Sequence, residues 1–114
     1  MSADIDTAMV YYGAKKAGVL KKNKSGYEFL YDSQYLSDSN AVPVSLSLPL
    51  SQAKYEAKQL FPFFEGLLPE GWLLEVTSVA AKIDKQDKFK LLLHTGRDPI
   101  GAVSIKPIED ILDE

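Results

Sequence analysis

The spacing of apolar residues changes along the chain, and this change constrains the fold more than any other feature of the sequence. Before residue 50 the apolar residues follow strand patterns, and after residue 60 they recur at helical spacing. A chain of 114 residues can bury only one hydrophobic core. We therefore predict one α+β domain, with a small, antiparallel-rich and partly barrel-like sheet of about five strands packed with two to three short helices.

Four segments in the first half have the pattern of strands. Thr7–Tyr12 is apolar at nearly every position, as in a strand covered on both faces. Gly18–Lys22 predicts a second strand, and Asn23–Gly26 a turn that leads into a third strand, Tyr27–Asp32. The three aromatic residues of that strand share one face, which we expect to be core. Val42–Pro49 shows the clearest period of two and predicts a half-buried strand, which its prolines restrict to central ladder bonds or to a sheet edge.

The second half predicts helices. Ser51–Leu60 is ambiguous, because its residues favour helix while its apolar positions are sparse. Leu60–Leu68 predicts a short helix closed by Pro69, and a longer helix begins at Gly71. One stripe of this longer helix consists of Trp72, Val76, Val79 and Ile83.

A third helix and a last strand complete the predicted domain. Asp84 is the candidate cap of the helix, which ends at Gly96 and turns three apolar residues to the core: Phe89, Leu92 and Leu93. Gly96–Pro99 predicts a turn, and Ile100–Pro107 a strand that returns to the sheet. Residues 1–108 then form the domain and residues 109–114 an acidic tail.

The residues needed for independent catalysis are missing. Without cysteine there is no thiolate nucleophile, thiolate metal site or disulfide, which suits a reducing compartment. His94 is the only histidine, and we predict a structural role at the end of its helix. Neither a Walker loop nor a GxGxxG pattern occurs. We therefore predict a non-enzyme with no catalytic residues, no cofactor and no metal site.

The predicted location is the cytoplasm, without direct contact with membrane or nucleic acid. The amino terminus carries Asp4 and Asp6 where a secretory signal has a basic flank, and the apolar runs are too short to span a bilayer. The net charge is −3 with a single arginine, Arg97. A nucleic-acid-binding role remains an alternative, carried by a lysine hairpin; a solvated hairpin is the favoured interpretation of Lys15, Lys16, Lys21, Lys22 and Lys24.

One segment has more apolar surface than a corner of the chain needs. Two prolines and two glycines make Phe61–Trp72 rigid, and surplus apolar surface suggests a partner. Trp72 is either an interface anchor or a core residue on the stripe of its helix, and the sequence leaves both open. The candidate partner-binding residues are Leu67, Leu68, Pro69, Glu70, Gly71 and Trp72.

Several short motifs, in this order, carry a family resemblance. They include Ser45–Leu50, Phe63–Gly71, Phe89–Leu92, Gly96-Arg97-Asp98 and Gly101-Ala102. Together they resemble the amino-terminal subdomain of the HipA family of bacterial toxin kinases. In full-length kinases of that family, nucleotide-binding and catalytic regions follow this subdomain, whereas this sequence stops after Glu114.

The resemblance implies an antitoxin of the HipS type. Such a protein binds a HipT-like serine/threonine kinase near its nucleotide-binding lobe and active site and inhibits it, in a complex that can include a DNA-binding HipB-like protein. The resemblance also implies a structural role for Arg97 and Asp98 in a tight turn. The alternative is an excised regulatory subdomain of a full-length HipA-like serine/threonine kinase.

Overall fold

The computed structural model describes residues 7–95 and 102–107, without the side chains of Trp72 and Pro107. The five strands are β1 (Thr7–Tyr12), β2 (Lys15–Asn23), β3 (Gly26–Tyr31), β4 (Lys54–Ala57) and β5 (Val103–Pro107). The four helices within these ranges are α1 (Ser33–Ser37), α2 (Pro62–Glu65), α3 (Gly71–Ala81) and α4 (Lys88–Thr95).

The strands form one open antiparallel sheet in the order β4-β3-β2-β1-β5. The α+β class and the five strands are thereby confirmed, and the last strand returns to the sheet beside β1 as predicted. The sheet is not closed into a barrel, since β4 and β5 lie at opposite edges. The described residues also contain four helices where two to three were predicted.

The core lies on one face of the sheet. Register places Leu20 opposite Phe29 and Val10 opposite Ile105, and all four side chains are fully buried. Tyr31 is buried and Tyr27 packs beside the core, which confirms the predicted aromatic face of β3. The helix α1 packs against β2, and α4 packs against both β5 and α2.

The predicted turn between β2 and β3 is confirmed and depends on glycine. Gly26 has a φ of +144°, which L residues rarely adopt. A Cβ at this position would also collide with the backbone carbonyl of Ala57 in β4. Gly26 therefore permits both the turn and the approach of the edge strand.

The prediction of a strand over Val42–Pro49 is wrong. The Tyr31 side chain makes the hydrogen bonds that a neighbouring strand would otherwise make to this segment. The Tyr31 hydroxyl accepts from the Val44 amide at 3.1 Å and donates to the Leu48 carbonyl. The Leu48 amide donates to the Ser45 carbonyl at 3.0 Å, which closes a turn. Val44 and Leu48 are buried, but Leu46 is 94% exposed. We call residues 44–48 the Leu46 turn.

Two further tyrosines hold the ends of this loop. The Tyr35 hydroxyl donates to the Val42 carbonyl at 2.6 Å, and the Tyr55 hydroxyl donates to the Pro49 carbonyl at 2.6 Å. Tyr35 lies on α1, a helix that the apolar pattern did not predict. Its signal was Asp32, whose carboxylate accepts from two amides of the first turn.

We predict that Tyr31→Phe lowers the free energy of unfolding by about 2 kcal/mol, because it leaves the Val44 amide and the Leu48 carbonyl without their buried partner. Burial raises the pKa of Tyr31 above its ordinary value of 10.0. The folded state therefore favours the neutral phenol. The stability that the Tyr31 phenol contributes is present below pH 10 and is lost as the pH rises further. Urea unfolding at pH 7 and pH 10.5 measures both effects.

The control for this variant is Tyr12→Phe, which removes the hydroxyl of a partly buried ring packed on the same core. No hydrogen bond to the Tyr12 hydroxyl occurs among the described residues. Equal losses in the two variants, or an unchanged alkaline loss of stability in Tyr31→Phe, would contradict the role assigned to the Tyr31 phenol.

The second half follows the predicted order of elements with shifted bounds. The ambiguous Ser51–Leu60 contains the short strand β4, and the helix predicted over Leu60–Leu68 is shorter, as α2. Asp84 does not cap α4, because its carboxylate accepts a hydrogen bond from the Gln86 amide, which precedes the helix. The Asp87 carboxylate instead accepts from the Lys90 amide in the first turn of α4, at 3.1 Å.

The predicted core residues of α4 are confirmed, since Phe89, Leu92 and Leu93 are all buried. Four predictions lie outside the described residues. They are the turn Gly96–Pro99 with Arg97 and Asp98, the helix end at Gly96, the first residues of Ile100–Pro107, and the acidic tail at 109–114.

Candidate partner-binding surface

The predicted partner-binding segment begins where α2 is anchored to the sheet. Phe64 is fully buried, and its ring centroid lies 5.7 Å from that of Phe29 in β3. An ion pair of 2.7 Å between Glu65 and Lys88 joins α2 to α4. Beyond this anchor Leu67 is 38% exposed, whereas Leu68 packs against the core. The segment thus has one side on the domain and one in solvent.

Gly71 forms the corner between this segment and α3. Its φ of +53° is left-handed, a conformation that glycine adopts without strain. Glu70 is exposed, and its carbonyl accepts from the Leu73 amide at 3.1 Å. Trp72 lies in the first turn of α3, but its side chain is outside the described part of the chain. The choice between anchor and core for Trp72 therefore stays open.

Two residues of the predicted stripe on α3 face solvent. Val76 is 46% exposed and Val79 is 75% exposed, so these two residues of the predicted stripe do not pack in the core. The face turned to the domain instead carries Ser78, which is buried, and Leu74, which is half-buried. A helix that is apolar on nearly every side has no single hydrophobic stripe, and spacing alone could not orient it.

Four exposed apolar side chains extend from the corner along α3. We call this set the α3 surface; it comprises Leu67, Leu73, Val76 and Val79. The helix ends at Lys82 in the left-handed conformation, with the Ile83 amide donating to the Ser78 carbonyl at 3.0 Å. A salt bridge of 2.5 Å joins Glu75 to Lys85. Sequence reasoning found Leu67 but missed the other three residues as surface.

The lysine hairpin is partly neutralised. Lys15 lies 2.7 Å from Asp38, and Lys16 lies 3.6 Å from Asp32. The hydrogen bond between Lys15 and Asp38 raises the pKa of the lysine and lowers that of the carboxyl group. These pairs reduce the charge available to phosphate and favour a solvated hairpin.

Other candidate chemistry is sparse in the described ranges. His94 is exposed in the last turn of α4. Within residues 7–95 and 102–107, no three metal-ligating side chains lie close enough to hold an ion. None of the helices described is long and apolar enough to cross a bilayer.

Comparison with known families decides where this fold belongs. The family model for the HipA N-terminal domain matches residues 8–106. This chain belongs to the HipA N-terminal domain family. A solved structure, the N-terminal domain of HipA toxin, agrees with a TM-score of 0.68 at 30% identity, covering 93% of this chain and 95% of that one.

Relatives in the HipA N-terminal domain family differ in length. An uncharacterized protein of Haemophilus influenzae is 33% identical over 102 residues, which cover 90% of this chain and 92% of that protein. Two Sinorhizobium fredii proteins, "Putative kinase Y4mE" and "Putative kinase Y4dM", are 32% and 34% identical. The matches cover 86% and 71% of this chain but only 24% and 21% of those proteins. What matches is the HipA N-terminal domain alone.

Proposed function

We propose that this protein is an antitoxin that binds a HipT-like serine/threonine kinase and inhibits it. The observation that carries the proposal is the α3 surface, four large apolar side chains that the domain leaves in water. Apolar side chains grouped in this way are typical of a protein–protein contact. The family supplies the class of partner, since relatives named as kinases carry this domain as a small part of their length.

The Haemophilus influenzae relative favours a separate protein over a kinase segment. The aligned residues cover 92% of that protein, so it contains little besides this domain. A HipA N-terminal domain can thus exist apart from a kinase. The regulatory domain of a longer HipA-like kinase is the second candidate, which the two Sinorhizobium proteins favour, because the domain is about a quarter or less of each.

The proposed inhibition begins at the corner of Gly71. Leu67–Trp72 contacts the kinase near its nucleotide-binding lobe and the entrance of its active site, with Trp72 as apolar anchor and Glu70 as polar contact. The α3 surface extends the contact by three side chains beyond that corner. To inhibit, the protein must bind the inactive arrangement of the kinase more tightly than the active one. Both proteins act in the cytoplasm, in a complex that can include a DNA-binding HipB-like protein.

Co-expression with the kinase encoded next to its gene tests the proposal. We expect the two proteins to co-purify and the kinase to lose phosphorylation activity as this protein is added. Trp72→Ala should weaken binding about 30-fold or more, since truncating a buried interface anchor costs at least about 2 kcal/mol.

Three outcomes count against parts of this proposal. Failure of the folded wild type to bind would overturn the antitoxin assignment. Full inhibition by folded Trp72→Ala would remove the anchor role, and unfolding of this variant would assign Trp72 to the core. A kinase gene in frame with this one would instead support the regulatory-domain candidate.

A further inference from the structure

The outer edge of β4 carries backbone groups that point away from the sheet. β4 is an edge strand, and β3 is its neighbour in the sheet. The Tyr31 amide donates to the Ala53 carbonyl at 2.8 Å, and these two residues lie opposite each other when the β3–β4 register is continued by one position. Hydrogen-bonded and non-hydrogen-bonded pairs alternate along an antiparallel ladder. The amide and carbonyl groups of Lys54 and Glu56 therefore point outward, away from β3.

This edge of β4 is open to solvent. The Lys54 carbonyl accepts a hydrogen bond from the side chain of Gln52, an exposed residue, which agrees with the outward direction of that carbonyl. The side chains of Lys54 and Glu56 are 55% and 69% exposed. A short edge strand with a lysine usually resists pairing with another strand. In β4, however, a glutamate follows two positions after the lysine, so that this resistance depends on the register of the incoming strand.

The charges of β4 suit a second copy of the same strand in one register. When two copies run antiparallel about Tyr55, Lys54 of each copy lies opposite Glu56 of the other. The outward-facing groups of these residues can then form four N–H···O bonds, two for each pair. A register moved by two residues brings together either the two Lys54 side chains or the two Glu56 side chains. Opposite charges across neighbouring strands stabilise their pairing, and like charges oppose it.

We propose that β4 binds a second copy of this chain in the register about Tyr55, which extends the antiparallel sheet from five strands to ten. Tyr55 then lies opposite Tyr55 of the second copy, and the Gln52 side chain leaves the Lys54 carbonyl as the strands meet. The four residues of β4 extend only about 13 Å, so the contact is small and the dimer is transient. Neither Leu67 nor α3 takes part, and the inference does not rest on the proposed function.

Sedimentation velocity of the full chain over a range of concentrations measures the dimer. Glu56→Lys should raise the dimer Kd about tenfold or more, because it places a lysine opposite Lys54 of the second copy. The same change reduces the net negative charge of the chain, so general electrostatics alone would tighten the dimer. Residue 56 lies opposite Glu28 within the domain, so a lysine there should not lower the urea midpoint.

The matched control is Glu75→Lys, which makes the same charge change at an exposed position on α3. This variant should not raise the dimer Kd. A mixture of two variants supplies a further readout. Lys54→Glu should also weaken self-association, but mixed with Glu56→Lys it should form a heterodimer about as tight as the wild-type dimer. In that heterodimer each lysine again lies opposite a glutamate across the two strands.

Recovery of the heterodimer from two weakened variants would support both the edge and its register. A wild type that stays monomeric at every concentration would overturn the proposal. An unchanged Kd in Glu56→Lys, or a Kd raised equally by Glu75→Lys, would contradict it as well. Loss of the dimer in Val76→Glu/Val79→Glu but not in Glu56→Lys would place the contact on the α3 surface and would also overturn the pairing of β4.

Discussion

Phe64→Ala is expected to lower the free energy of unfolding by about 3–5 kcal/mol, the usual cost of removing a buried aromatic ring. Phe64 is fully buried, and its ring lies within 6.2 Å, centroid to centroid, of those of Phe29, Phe61 and Phe63. It is the main attachment of a four-residue helix that makes few backbone hydrogen bonds of its own. The total free energy of unfolding of a domain is typically about 5–15 kcal/mol, so this loss would be a large share of it.

Urea unfolding at neutral pH, followed by circular dichroism, measures this loss. The matched control is Phe63→Ala, one residue earlier on α2, where the ring is only half-buried. Its loss should be clearly smaller. If both variants lose the same free energy, or if Phe64→Ala loses less than about 1 kcal/mol, Phe64 is not the anchor of α2.

The double variant Val76→Glu/Val79→Glu is expected to raise the Kd for the kinase a hundredfold or more. Both side chains are exposed in the free protein and belong to the α3 surface. If the kinase covers them, two carboxylates lose water without a partner, which costs several kcal/mol. Glutamate is also a better helix former than valine, so α3 itself should not be weakened.

Ala14→Glu/Gln34→Glu is the control, since it adds the same two charges at exposed positions outside α3. Affinity measured at two salt concentrations separates a local effect from general repulsion, because only the latter is strongly screened. Equal weakening by the two double variants would mean that net charge, not the α3 surface, determines binding. Unchanged affinity in the α3 variant would exclude this surface from the interface.

The sequence was sufficient to predict elements whose hydrogen bonds are local or follow a simple period. The strand Thr7–Tyr12, the turn before Tyr27 and the helix beginning at Gly71 are all present. In each of these, the local residue pattern identifies the element, although β1 also pairs with the distant strand β5. The same holds for Phe89, Leu92 and Leu93, which face the core as their spacing predicts.

The Leu46 turn could not be predicted, because a distant residue determines it. The alternation of apolar residues from Val42 to Leu48 is typical of a strand. However, the Val44 amide donates its hydrogen bond to the hydroxyl of Tyr31, which lies 13 positions earlier in the sequence. Nothing in the local pattern shows that a phenol will replace a neighbouring strand. The orientation of α3 could not be predicted for another reason. Both of its faces are apolar, and only packing against the domain distinguishes them.

Part of the candidate site was predicted from the sequence. Leu67 and Glu70 are exposed as a contact segment requires, and Leu68 packs inward. The extension along α3 was not predicted, since the spacing placed Val76 and Val79 on a stripe that suits either an interface or the core. The buried Ser78 shows why: a polar residue occupies the covered side of α3, which hydrophobic spacing does not predict.

The pairing of β5 with β1 places the beginning and the end of the described chain side by side. Ala8 lies opposite Pro107 in the sheet, on strands from opposite ends of the sequence. Polypeptide added before β1 or after β5 would leave the domain from the same corner. The family can thus fuse this domain to a longer protein, or separate it, without changing any strand pairing. For the same reason, fluorescent labels attached beside Ala8 and beside Pro107 would report from one place on the molecule.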